Sequence, residues 1–222
     1  MSMPSWSDAY QGTPPWDIGR PQPAFVDLHA SGALQGGALL DAGCGTGENA
    51  LFFAARGFDV LGIDIVTRAI DLAREKSRDR EIPAEFRVAD ALALSRLRRS
   101  FDVVIDSGLF HTYDDGDRPV YLSGVASVLR KDGVFAMLCF SDKEPTDWGG
   151  PRRVSRAEIE TSFGPHLTIA EIRDVRFASR FHRGRGGKAF LTVARKWGRS
   201  HPRGRQSAPR ARRPSALDRP RR

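Results

Sequence analysis

Three glycines spaced two apart follow an apolar run, in Ala38-Leu39-Leu40-Asp41-Ala42-Gly43-Cys44-Gly45-Thr46-Gly47. A helical pattern begins directly after them at Ala50, Phe52, Phe53, Ala54 and Ala55. The stretch predicts a strand, a tight turn and a helix start. Glycine has no Cβ, so such a turn bends sharply and lets a ligand reach the backbone. The helix start then offers N–H groups with no partner inside the helix. Dinucleotide turns use G-x-G-x-x-G with an acid about 20 residues later. Here the glycines read G-x-G-x-G, and Asp41 stands two residues ahead of the first. The next apolar run, 58–63, ends in Asp64, where an acceptor for ribose hydroxyls is expected with either kind of nucleotide ligand.

The segment Asp41-Ala-Gly-Cys-Gly-Thr-Gly, with Asp64 and with Asp90 in Val-Ala-Asp-Ala, resembles the cofactor signature of class I S-adenosylmethionine-dependent methyltransferases. The resemblance implies a first loop around the methionine part of the cofactor (Asp41, Ala42, Gly43, Gly45, Gly47, Asn49). It implies ribose capture by Asp64 beside Ile65, and an adenine contact at Asp90 and Ala91. Asp106 and Ser107, at the end of strand four, fall near the methionine amine or the transferred methyl. A narrower resemblance lies at Trp16-Asp-Ile-Gly-Arg20-Pro-Gln-Pro. It looks like the N-terminal signature of the thiopurine and halide/thiol methyltransferase branch, closest to bacterial members acting on small aromatic, quinone-like or heterocyclic compounds. It implies that this segment, with Trp16 and Arg20, folds over the cofactor.

Methyl transfer is a displacement at an already activated carbon, so the protein supplies alignment and a dry cavity, on the order of 7–11 kcal/mol. Aromatic faces suit a sulfonium cation, and the candidates are Tyr10, Trp16, Phe110 and Phe140. His111, just beyond strand four, is a candidate base for a phenol or ring N–H, or else a loop or pocket residue. Asp106 is either catalytic or a carboxylate that satisfies loop N–H groups. Arg152 and Arg153 could hold an acidic substituent, or be a solvated pair; Trp148 is a candidate for the pocket wall. No His/Cys cluster has zinc spacing, and Asp114, Asp115 and Asp117 read as a helix start, so no metal is expected.

These residues need a scaffold that brings strand ends together. Amphipathic residues 24–34 predict a helix ended by Gly32. Strands are expected at 58–63, 84–88, 101–106 and 134–140, then at 167–175 and 188–194. Thr67 is expected to cap a helix to about Arg78, Asp117 one to Leu129, and Ser155 with Glu158 a capping box for one to Phe163. Residues 130–133 read as a helix exit and turn. Alternating strands and helices predict a parallel sheet covered on both faces, with the last two strands antiparallel. The resemblance supplies a Rossmann-like order 3-2-1-4-5-7-6. Ligands bind such sheets beyond the strands' carboxyl ends, at the switch between strands one and four.

The domain expectation is a lid arm at 1–23, a catalytic domain at 24–197 and a disordered basic tail at 198–222. Net charge is +8, but residues 195–222 hold 11 Lys/Arg against Asp218, which leaves 24 bases and 26 acids elsewhere. The basic character belongs to the tail, which would bind polyanions weakly; no folded nucleic-acid module is read. Nothing suggests a membrane span or secretory signal. Cys44 and Cys139, both at strand ends, could face each other but imply no disulfide framework, and a cytoplasmic setting follows. The expected partner is a small-molecule methyl acceptor, with O, N or S as acceptor atom. The rival readings are a nucleic-acid methyltransferase using the tail, a non-catalytic S-adenosylmethionine-binding protein and, on poorer glycine spacing, a nicotinamide dehydrogenase.

Overall fold

A computed structural model describes residues 6–145, 150–182 and 184–196. In chain order the elements are α1 (Trp6–Ala9), α2 (Pro23–Ala30), β1 (Ala38–Ala42), α3 (Glu48–Ala54), β2 (Asp59–Asp64), α4 (Thr67–Asp79), β3 (Glu85–Val88), β4 (Phe101–Ser107), α5 (Asp117–Val128), β5 (Leu129–Phe140), α6 (Arg156–Phe163), β6 (Leu167–Phe177) and β7 (Gly187–Lys196). The seven strands form one sheet in the order β3-β2-β1-β4-β5-β7-β6. β1 to β5 pair in parallel, and β7 runs antiparallel to both its neighbours. The expected Rossmann-like architecture is therefore the observed one.

Strand periodicity divides the core. Leu39 points into one apolar cluster with Phe25, Leu28 and Phe53, and its neighbour Leu40 into the other with Tyr121, Phe135 and Phe163. Every residue of β1 is buried. Each fully buried Leu or Phe contributes roughly 1.5–3 kcal/mol. Edge strand β6 is half-exposed and carries Glu171, Arg173, Asp174 and Arg176, charges that discourage pairing with another chain. The chain leaves β1 toward β2 on one side and reaches β4 on the other, which opens a crevice at their carboxyl ends.

Several local expectations change. Thr67 is the first residue of α4 and caps nothing; Asp64 Oδ1 instead accepts the Val66 N–H at that corner. Asp114, not Asp117, holds the start of α5, its Oδ1 accepting the N–H groups of Gly116 and Asp117. Residues 130–133 belong to the start of β5, because Leu129 already pairs with Phe101 across a register shift. α2 stops at Ala30, ahead of Gly32 at φ 76°. Residues Ala91–Leu97 form two short 3-10 turns, broken by a kink at Ala93 and absent from the sequence reading, the first capped by the Asp90 carboxylate. The Ser155–Glu158 capping box is present in full. Cys44 and Cys139 do not face each other: they are free thiols packed in opposite clusters. Among the described residues no helix is long and apolar enough to cross a membrane. The tail from residue 198 and Trp148 lie outside the described residues.

Candidate functional site

The crevice is a cavity of about 770 Å³, within the usual range for a small-molecule site. The β1 turn supplies Gly43, Gly45 and Asn49; the ends of β2 and β3 supply Asp64, Ile65, Asp90 and Ala91. Ser107 and His111 enter from beyond β4, Phe140 from β5, and Tyr10, Trp16 and Arg20 from the arm.

The glycine turn is built for a close approach. Gly43, Gly45 and Gly47 have φ of 71°, 53° and 86°, a region that L side chains rarely adopt. A Cβ on Gly45 would stand 3.0 Å from the Tyr10 hydroxyl. Asp64 braces the turn: its Oδ2 accepts the Gly45 N–H at 2.9 Å. Burial raises its carboxyl against three backbone N–H groups that favour the charge. Each carboxylate oxygen has a second lone pair, so Asp64 can still accept hydroxyls.

The N-terminal arm closes over this turn. Trp16 lies edge-on to Trp6 and Tyr10, with ring centroids 5.7 and 6.2 Å away, and its Nε1 donates to the Tyr10 hydroxyl. Burial, then the Asp64 carboxylate, push the Tyr10 hydroxyl up, so it stays protonated. The Asp17 carboxylate accepts the Thr46 hydroxyl at 2.7 Å, and Lys76 donates to Thr46 and to Glu48, each at 2.7 Å. Arg80 grips the same Glu48 carboxylate with both terminal nitrogens. Farther along, the Gln22 backbone N–H donates to Asn49 Oδ1, and its side-chain amide pairs with both backbone groups of Ala178. The arm thus bridges the glycine turn and the segment between β6 and β7. Asp17, Thr46, Glu48 and Gln22 line the cavity without having been singled out in the sequence; Asp17 and Gln22 lay inside the quoted arm signature and Thr46 inside the quoted glycine turn.

His111 is sealed between rings. It stacks on Phe140 at 5.2 Å and 8° and lies 6.0 Å from Phe177, which itself stacks on Phe140 at 4.7 Å. Its Nδ1 accepts the Phe140 backbone N–H at 3.1 Å. The neutral ring therefore carries its hydrogen on Nε2. Burial, then the Arg118 guanidinium, lower its pKa to about 3. One nitrogen is a used acceptor and the other a donor, so His111 has no lone pair for an acceptor's proton. The geometry does not support His111 as a base; it presents an N–H.

Six other expected residues sit elsewhere. Asp106 is fully buried behind the cavity, its oxygens accepting the N–H groups of Leu109 and Phe110 and the Tyr121 hydroxyl. It holds the loop that carries His111, and burial raises its carboxyl. Phe110 is core, edge-on to Phe163 and 4.7 Å under the Arg118 guanidinium, and its neighbour Leu109 reaches the cavity instead. Arg152 pairs with Asp115 at 2.6 Å and with Glu158, outside the cavity. Asp41 is buried under the turn with neither oxygen in a normal hydrogen bond. Burial and the Asp106 carboxylate raise it well above the usual range, and the Ala50 amide is the main influence favouring its charge. Ala42 and Gly47 also lie beneath the surface: a Cβ on Gly47 would meet the Phe86 ring at 2.9 Å. Among the described residues no group of His, Cys, Asp and Glu could hold a metal ion.

The chain is similar to known proteins in sequence and fold. Residues 39–133 match the family model of a methyltransferase domain. A 2-heptyl-1-hydroxyquinolin-4(1H)-one methyltransferase of Mycobacteroides abscessus is 33% identical over 165 residues, which cover 73% of this chain and 72% of that protein. A probable thiol methyltransferase of Arabidopsis thaliana is 28% identical over 161 residues, 72% of this chain and 71% of that one. A structure solved for the conversion of a disulfide bond into a thioacetal group during echinomycin biosynthesis superposes with a TM-score of 0.76 at 35% identity, over 86% of this chain and 88% of that one.

Proposed function

The chain belongs to the class I S-adenosylmethionine-dependent methyltransferases, and from that premise we propose that it methylates an oxygen, nitrogen or sulfur atom of a small aromatic, quinone-like or heterocyclic molecule. The observation that carries the reading is that the stacked rings of His111, Phe140 and Phe177 and the arm's Tyr10 and Trp16 line one cavity. Aromatic rings in the lining suit a planar acceptor, and Arg152, expected to hold an acidic substituent, is paired outside. A relative named for a 1-hydroxyquinolin-4(1H)-one supports a heterocyclic acceptor, and the thiol relatives support sulfur.

The cofactor brings a methyl group already activated on a sulfonium sulfur. The residues present fit it: a glycine turn at positive φ where a Cβ would crowd its neighbours, the Asp64 carboxylate beside it and Asp90 at the next strand end. In this reading Gly43, Gly45 and Asn49 flank the methionine part, Asp64 and Ile65 the ribose, and Asp90 and Ala91 the adenine. Trp16, Tyr10 and Arg20 close the arm, described from Trp6, over it as a lid on the catalytic domain that begins at residue 24. Asp106 orders the β4 loop, Ser107 through Thr112, by accepting its N–H groups. The protein's contribution is alignment and exclusion of water, with the His111 Nε2–H as a donor toward the acceptor atom. A panel of phenols, hydroxyquinolines, azaheterocycles and thiols, scored for S-adenosylhomocysteine release, tests the proposal. Release only with RNA or DNA, and dependent on residues 198–222, would refute it.

A further inference from the structure

With His111 unable to take a proton, a hydroxyl or ring N–H acceptor still has one to lose. Another imidazole reaches the cavity through a hydroxyl. Ser179, just past β6, lines the cavity and is itself buried. Its Oγ lies 2.6 Å from His182 Nδ1. On the far side of the ring, His182 Nε2 faces Glu144 Oε1 at 3.7 Å. Glu144 is only 6% exposed, and its other oxygen accepts the Lys188 backbone N–H. A carboxylate beside Nε2 favours the tautomer with hydrogen there, which leaves the Nδ1 lone pair for the Ser179 hydroxyl. Hydroxyl, imidazole and carboxylate in this order activate a hydroxyl group on unrelated folds.

A serine bonding three residues ahead is also a common way to hold a short turn, and Arg180–His182 is such a turn. That role requires neither a buried carboxylate brought from the β5 loop nor a serine open to the cavity. We infer that Ser179, His182 and Glu144 form a proton relay serving hydroxyl and ring N–H acceptors, an inference that rests on the proposed oxygen or nitrogen acceptor. The acceptor's X–H bond breaks as its proton passes to Ser179 Oγ and the Ser179 proton passes to His182 Nδ1. The X–H electron pair forms the X–CH3 bond, and the pair of the sulfur–methyl bond stays on sulfur. The sulfonium charge is thereby replaced by an imidazolium charge on His182, opposite Glu144.

Phe140 lies 6.0 Å from the His182 ring, and the β7 backbone at Gly187 packs against Cε1. Glu144 is the carboxylate facing it, Lys188 contributes its backbone N–H to that carboxylate, Arg180 turns to the Asp17 carbonyl, and the Arg185 backbone N–H donates to the His182 carbonyl.

The test compares wild type with Ser179→Ala, Ser179→Thr, His182→Gln and Glu144→Gln in two assays. In the first, a chromogenic hydroxyquinoline binds in the presence of S-adenosylhomocysteine and its absorbance reports ionisation. Wild type should ionise it at lower pH than in free solution. Ser179→Ala and His182→Gln should return the transition to its free value, and Ser179→Thr should keep the shift. In the second, kcat at pH 7 should fall roughly 10²–10⁴-fold for acceptors that are neutral there. The loss should shrink as acceptor acidity or pH rises, with cofactor affinity by calorimetry unchanged within about threefold. Loss equal for all acceptors at every pH, or no loss, overturns the relay while leaving the proposed function intact. A wild-type enzyme that methylates only thiols overturns the oxygen or nitrogen acceptor, and the relay with it.

Discussion

His111 offers a test that needs no substrate. The unfolded chain carries it with a pKa near ~6.5, and the folded chain holds it at about 3 through burial and the Arg118 charge. Between those values the unfolded state binds a proton that the folded state refuses. Acid therefore favours unfolding, and stability rises with pH across this window. From pH ~7.5 to ~5 the linkage integral for this one group is about 2 kcal/mol of lost stability. His111→Asn removes the titration and retains an oxygen that can accept the Phe140 N–H. The variant will be less stable at pH 7.5, since stacking on Phe140 and Phe177 is lost. The informative quantity is the change in that deficit. Urea unfolding of the cofactor-free protein should show the gap between variant and wild type narrowing by about 2 kcal/mol as pH falls from ~7.5 to ~5. A gap constant within about 0.5 kcal/mol would mean that His111 titrates normally in the fold. His111 would then be able to take a proton near neutral pH.

Gly45→Ala should weaken cofactor affinity about tenfold or more and alter arm tryptophan fluorescence, because its Cβ would meet the Tyr10 hydroxyl at 3.0 Å with φ at 53°; calorimetry and emission spectra check this. Asp17→Ala and Lys76→Ala should each raise proteolysis of the arm and show a coupling of about 1 kcal/mol in a double-mutant cycle, since both meet at the Thr46 hydroxyl. Ser155→Ala should cost about 1 kcal/mol in urea unfolding through loss of the capping box. Phe110→Ala should cost about 3–5 kcal/mol by opening the core against Phe163. Leu109→Ala should instead change acceptor KM, as read in steady-state assays, because Leu109 lines the cavity.

What was legible in the sequence lay within one element or at its ends. The apolar run into Asp41 and the spaced glycines made the first strand and turn readable, and Asp64 and Asp90 marked the next two strand ends. The Ser155–Glu158 capping box was readable because its partners are three residues apart. Strand order came through resemblance to known sequences, and the sheet has that order. Tertiary structure alone decided which way each loop residue faces. Phe110 is core and Leu109 lines the cavity because a 3-10 turn held by Asp106 points one inward and the other into the cavity. His111 became a donor through the backbone of Phe140, 29 residues away. Ser179 and Glu144 met at His182 because the antiparallel β5–β7 pairing brings the end of β5 beside the start of β7. Periodicity is a local property of the backbone, whereas tautomers, latches and relays depend on contacts between segments that only the packed sheet brings together.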